Sequence, residues 1–340
     1  MEHQKCGSWT FSLAALGLGT LLSLTLSWGR ESLAAGKNEV GAPWIWLCDR
    51  EDGRVIGLDF DGFESRSWRV AWPLEVAPAA DGALWVLAAT SPGPESGRRL
   101  VRIDARGERQ LDLFLEGACG LETGPGESAR LLVGELSRRF LVEVSSSGVQ
   151  EMLSPASGAF RWLERGDSVL LAAPGHLWLA GTAISEEANW GLSLGPGESL
   201  LSVVSSSNGW FVLSTSGVQH VLRSLDWDLS LLWKRTGPNL APGSPAGSFL
   251  MTGGSGEPAS AVRLITRRGE ERRFDELGEL IRSFDWNCGP IIDGVQDSLG
   301  VTWLATYGAC LRMGPGGWAI PGQGGFHTIV DLEVSPVDSL

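Results

Sequence analysis

From Trp44 onward, short apolar runs alternate with polar turns, and the alternation itself repeats along the chain. Each unit opens on an apolar segment, crosses a Gly/Asp/Ser turn and enters a second apolar segment that often carries tryptophan. A third strand-like stretch and a glycine turn follow. The clearest copy runs Leu74-Glu75-Val76-Ala77-Pro78, turns at Ala80-Asp81-Gly82 and continues as Leu84-Trp85-Val86-Leu87. Beyond it, Val101 and Ile103 alternate with Arg102 and Asp104, the period of two expected of a half-buried strand, and Ala105-Arg106-Gly107 turns the chain.

Six further copies align on their first segment, whose second residue is Glu122, Glu164, Ser202, Ala241, Asp293 or Glu333 in turn, at intervals of 38 to 52 residues counted from Glu75. Periods of this length with three or four short strands each predict the blades of a β-propeller rather than helical solenoid turns. In this alignment Leu240-Ala241 opens the fifth copy and Phe249-Leu250-Met251 is its second segment. Residues 274–284 are read as one short helix or a decorated loop, because Phe274, Leu277, Leu280 and Ile281 come closest to a 3.6-residue spacing.

The two ends of the pattern complete each other. Leu332-Glu333-Val334-Ser335-Pro336 matches Leu74-Glu75-Val76-Ala77-Pro78, and the continuation it lacks is supplied by Trp44-Ile45-Trp46-Leu47. One blade is therefore expected to be split between the ends, which leaves no open sheet edge at the seam. The expectation is an all-β, single closed propeller over residues 44–340 with seven blades, six being the alternative.

Composition fits this reading and narrows the partners. Hydrophobic content of 43% excludes a disordered chain, and 46 glycines spread along it favour many tight turns. A net charge of -13 argues against nucleic acid and against anionic membrane surfaces. At the N-terminus Lys5 precedes an uncharged, Leu-rich stretch over residues 10–26, followed by Ser32-Leu33-Ala34 with small residues where a signal peptidase reads. Residues 1–35 are expected to be a signal peptide, or an uncleaved anchor since the stretch approaches a bilayer span, with 36–43 as a short linker. The mature chain would be exported, periplasmic, extracellular or at the cell surface, and monomeric. Cys48, Cys119, Cys288 and Cys310 would remain, allowing three disulfide pairings among which spacing does not choose.

The segment from Asp49 through Arg54, Asp59 and Asp61 to Gly62 resembles the blade pattern of NHL-repeat and gluconolactonase-like propellers. Asp297-Ser298-Leu299-Gly300-Val301-Thr302-Trp303 is similar to the Asp-x-x-Gly-x-x-Trp turn of sensor-type propellers. In such folds the first strand of each blade lines a central channel. Glu75, Glu122, Glu164, Asp293 and Glu333 would then face one axis, where their mutual repulsion calls for water, protons or a cation such as Ca²⁺ or another divalent ion. A gluconolactonase-like resemblance implies a metal that polarises a lactone carbonyl while a carboxylate activates water, yet no Asn falls in the aligned column. Trp46, Trp85, Trp210 and Trp303 share one place in the repeat, on the second strand, and are read as packing between blades. No Gly-x-Ser-x-Gly, His-Glu-x-x-His or phosphate-binding glycine loop occurs. The leading reading is a non-enzymatic propeller that binds a protein, glycan or small molecule through rim loops. A metal-dependent lactonase-like hydrolase or lyase at the acidic channel is the second.

Overall fold

A computed structural model describes residues 44–93, 96–153, 158–165, 168–181, 190–237, 240, 247–252, 262–286, 288, 290–297, 300–313, 319–320 and 329–334. The proposed signal peptide and linker lie outside the described residues, as does Ala241. Among the described residues every regular element is a β-strand, and the strands form seven antiparallel sheets of four.

Blade 1 comprises Pro73–Pro78, Leu84–Ala89, Arg98–Ile103 and Arg109–Phe114. Blade 2 comprises Cys119–Thr123, Ala129–Val133, Phe140–Ser145 and Gly148–Leu153. Blade 3 comprises Arg161–Arg165, Ser168–Ala173, His176–Gly181 and Trp190–Ser193, and blade 4 comprises Glu198–Ser205, Trp210–Ser216, Gln219–Leu225 and Leu231–Thr236. Blade 5 is built from Phe249–Thr252, Val262–Ile265, Glu270–Phe274 and Leu280–Asp285; blade 6 from Ile291–Gln296, Thr302–Thr306, Cys310–Met313 and Ala319–Ile320. Blade 7 is the split one: Ile329–Val334 is its first strand and pairs antiparallel with Ile45–Asp49, followed by Arg54–Leu58 and Glu64–Arg69.

First strands touch the first strands of neighbouring blades, so they form the inner wall of a ring. The core is not one mass but seven layers, each between two adjacent blades. Trp85, Leu87 and Leu100 of blade 1 meet Leu121, Ala129 and Leu131 of blade 2, for example. Trp303 and Cys310 of blade 6 meet Ile45 and Leu47 of blade 7 across the seam. Second strands are buried on both faces, which is why Leu84–Ala89 and Ile45–Asp49 read as continuous apolar runs, whereas outer strands such as Arg109–Phe114 alternate.

Two readings of the sequence are corrected. The first strand of blade 5 is Phe249–Thr252, not the segment at Leu240. Leu240 lies in the connection, its apolar side chain buried against Phe211 and Leu250, which gives it the appearance of a strand residue. Residues 274–284 hold no helix: Phe274 ends one strand, Leu280 begins the next, and the apparent 3.6-residue spacing comes from the hairpin turn between them. Gly278 takes a φ of +78° in that turn, which a helix does not allow.

Candidate functional site: an acid-lined channel and a rim cavity

Successive side chains on an inner strand point to opposite sides, so only alternate positions reach the axis. Glu75, Glu122, Asp293 and Glu333 do so, lining a central cavity of about 520 Å³ together with Asp331 and Arg161. Glu164 does not. It is bound to Arg130 on the second strand of blade 2, which also holds Glu143 at 2.9 Å. The cause is a bulge. The inner strands of blades 1, 2 and 6 each carry a register shift just before the acidic residue, at Pro73/Glu75, Cys119/Glu122 and Ile291/Asp293. Blade 3 pairs continuously from Arg161 to Arg165, so the aligned position moves by a residue and its side chain leaves the axis.

Three of the carboxylates join blades. Asp293 of blade 6 accepts a hydrogen bond from the Leu332 amide of blade 7 at 3.1 Å, Asp331 of blade 7 accepts from Val76 of blade 1 at 2.6 Å, and Glu75 of blade 1 accepts from Leu121 and Gly120 of blade 2 at 2.6 and 3.3 Å. Ser202 does the same between blades 4 and 5, accepting from the Leu250 amide at 3.1 Å. An inner strand has one ladder-forming edge and one free edge, and these side chains take up donors of the free edge.

Glu122 and Glu333 keep their oxygens toward the cavity. All five carboxyls are half-buried, and burial pushes each above the usual carboxylate range. For Asp331 and Glu333, whose rise is large, neighbouring carboxylates add to it: Asp293, Glu333 and Glu75 around Asp331, and Glu122, Asp293 and Glu75 around Glu333, with Arg161 opposing the latter. For Glu75, Glu122 and Asp293 burial is the leading cause and Arg161 opposes it. Three of the side chains are committed to backbone amides, and among the described residues no three Asp, Glu, His or Cys side chains converge as metal ligands.

A second cavity, of about 860 Å³, opens on the rim between blades 7, 1 and 2 and shares Glu75 and Asp331 with the channel. Arg50 follows the second strand of blade 7, Arg98 begins the third strand of blade 1, Phe114 ends its fourth, and Glu135 and Arg139 lie in a turn of blade 2. The walls are stitched backbone to backbone. Gly134 donates to the Glu116 carbonyl at 2.8 Å, and Gly117, at φ +62°, approaches Gly134 so closely that a Cβ there would lie 2.2 Å from its carbonyl oxygen. Phe114 is 66% exposed, with its ring edge resting on Gly97, where a Cβ would meet it at 2.4 Å.

Asp331, Arg161 and the rim arginines were not singled out by sequence reasoning. Asp331 was legible in principle, standing two residues before Glu333 on one strand and so on the same face. The arginines sit in or beside turns, where charge is commonplace and carries no signal.

The structure places Trp46, Trp85, Trp210 and Trp303 on second strands, all buried between blades. Trp210 differs in direction. It is the first residue of its strand where the other three are second, so it faces the preceding blade and the others face the following one. Trp303 and Trp44 both donate to the Asp297 carboxylate, at 3.1 and 2.8 Å, while Val301 donates to its other oxygen at 2.9 Å. Cys48, Cys119, Cys288 and Cys310 are free thiols in four different inter-blade layers, so none of the three pairings is formed. Cys119 reaches the rim cavity, and burial pushes its thiol up to about 11 against the opposing charge of Arg139 and Arg98.

No protein-family model matches the chain, and no curated protein matches it. Solved structures do. A protein from Lactobacillus plantarum is similar over 86% of this chain and 99% of its own, at 11% identity and a TM-score of 0.62. A functionally unknown protein from Desulfotomaculum acetoxidans is similar over 86% and 99%, at 10% identity and a TM-score of 0.58. BamB from Moraxella catarrhalis is similar over 78% and 89%, at 11% identity and a TM-score of 0.51. The chain is a seven-bladed β-propeller, and its likeness to other propellers is one of fold.

Proposed function

We propose that the protein is an exported, non-enzymatic binding propeller that holds a segment of a partner protein in the rim cavity between blades 7, 1 and 2. The observation that carries this reading is Phe114, a large apolar ring 66% exposed at the lip of a rigid, mixed-polarity cavity. The stitched loops around Gly117 and Gly134 favour binding, since a wall already fixed loses little freedom when a ligand arrives. The uncharged stretch over residues 10–26 supports export. The hydrolase reading draws on the acidity of the channel, but Glu75, Asp293 and Asp331 serve there as acceptors between blades.

The full chain, screened on an array of peptides of mixed composition, is expected to capture a defined subset and to lose it on Phe114→Ser. Capture indifferent to Phe114→Ser, together with chelator-sensitive lactone hydrolysis abolished by Glu122→Gln, would replace this proposal with the hydrolase reading.

A further inference from the structure

Several arginines elsewhere in this acidic chain are paired with carboxylates. Arg99 pairs with Asp112, Arg102 with Asp81 and Glu127, Arg130 with Glu143 and Glu164, and Arg235 with Glu279. Arg50, Arg98 and Arg139, which line the rim cavity together, have no carboxylate within 4.0 Å among the described residues. Instead each is anchored by neutral oxygens: Arg50 donates to the Pro92 carbonyl at 3.3 Å, and Arg98 to the carbonyl and Oγ of Ser96 at 2.8 and 2.9 Å. Arg139 donates to the carbonyls of Gly134 and Ala159. A guanidinium has five donors, so each keeps unused N–H groups after these bonds. Three half-buried guanidinium groups with spare donors thus share one cavity with Glu75, Glu116, Glu135 and Asp331 without forming an ion pair to any of them.

We infer that Arg50, Arg98 and Arg139 form a carboxylate-binding site, and that the segment held on the rim is an acidic peptide with an apolar side chain against Phe114. This inference rests on the binding reading above and gives it a ligand chemistry. Guanidinium groups recognise planar carboxylates through paired N–H donors. The rest of the lining selects among anions. Glu116 and Glu135 stand exposed at the lip, and Glu75 and Asp331 form the floor shared with the channel. These groups repel a dianionic phosphate more than a singly charged carboxylate, and Glu116 and Glu135 are free to accept hydrogen bonds from the backbone amides of a peptide.

The test uses the full chain and four fluorescein-labelled probes at low ionic strength, read by anisotropy: acetyl-(Glu-Phe)3, acetyl-(Gln-Phe)3, acetyl-(Lys-Phe)3 and an oligogalacturonate. The glutamate peptide is expected to bind about tenfold or more tightly than the glutamine peptide, with the advantage shrinking as salt is raised. Arg98→Gln should remove most of that advantage and Arg98→Lys restore part of it, both with an unchanged melting temperature. Arg98 suits this test better than Arg139, whose bonds to two loop carbonyls support the fold. Equal binding of the glutamate and glutamine peptides, both lost on Phe114→Ser, would overturn the carboxylate inference and leave the binding reading standing. Preference for the lysine peptide, or for oligogalacturonate over every peptide, would overturn the inference as well. Binding of none would overturn both.

Discussion

Single residues are held here by conformation as much as by contact. At Gly117 the two effects coincide: φ is +62° and an added Cβ would meet the Gly134 carbonyl at 2.2 Å. Gly117→Ala is expected to cost about 2–4 kcal/mol, read by urea denaturation, because backbone cannot yield as a side chain can. Leu229 poses the opposite question. It holds φ +63° at the turn position taken by glycine in the corresponding turns at Gly62, Gly107 and Gly278. Leu229→Gly relieves about 1–2 kcal/mol of left-handed strain. It also removes a side chain 6% exposed and packed between blades 3 and 4, a loss of about 2–5 kcal/mol. Burial outweighs strain, so the variant should melt lower than the wild type. The Asp297 turn was legible as Asp-x-x-Gly-x-x-Trp, and the bond from the Trp303 indole to Asp297 is its physical content. Its second indole, Trp44, lies 253 positions away along the chain and carries no local signal.

Strands were legible where burial on both faces makes an apolar run, as in Leu84–Ala89, and where glycine turns bound them. What the pattern conceals is register. A bulge adds one residue without changing hydrophobicity, so Glu122 and Glu164 look equivalent although one faces the channel and the other faces Arg130. The inner strand of blade 5 was hidden for a related reason: Phe249–Thr252 has no polar residue before Thr252 to mark its channel side. The acidic strands have a measurable consequence. Burial, then the neighbouring charges of Asp293, Glu333 and Glu75, raises Asp331, so the native protein keeps protons that the unfolded chain releases. Stability from such groups is fully present below the ordinary carboxylate pKa and is lost as pH rises through the raised native value. The melting temperature should therefore fall as pH rises above the ordinary carboxylate range. Asp331→Asn keeps an oxygen for the Val76 amide and removes a charge, so it should flatten that slope and raise the melting temperature at the alkaline end. A wild-type melting temperature that climbs across the range would contradict the account.

A ring of blades has no single core, so the molecule depends on its seam more than a layered domain would. The seam was readable because Leu332-Glu333-Val334 repeats Leu74-Glu75-Val76, and the strand it forms, Ile329–Val334, does three jobs at once. It completes the sheet of Ile45–Asp49, every residue of which is buried. Its Ile329 and Leu332 fill the layer between blades 6 and 7, and its backbone and Asp331 carry the bonds to Asp293 and Val76. Deleting residues 329–340 would expose the ladder edge of Ile45–Asp49 and remove the Leu332 amide from Asp293, leaving it only the Gly294 amide. Each remaining layer touches only its neighbours, so the other blades would keep their local packing while losing the closure that couples them. Calorimetry of the truncated chain is expected to show a broad transition whose van't Hoff enthalpy falls below the calorimetric one. A synthetic peptide spanning 329–340 should restore a sharp transition, since the seven layers are otherwise intact. A truncated chain that unfolds as sharply as the full one would mean that closure contributes little, and that each blade is held mainly by the layer on either side.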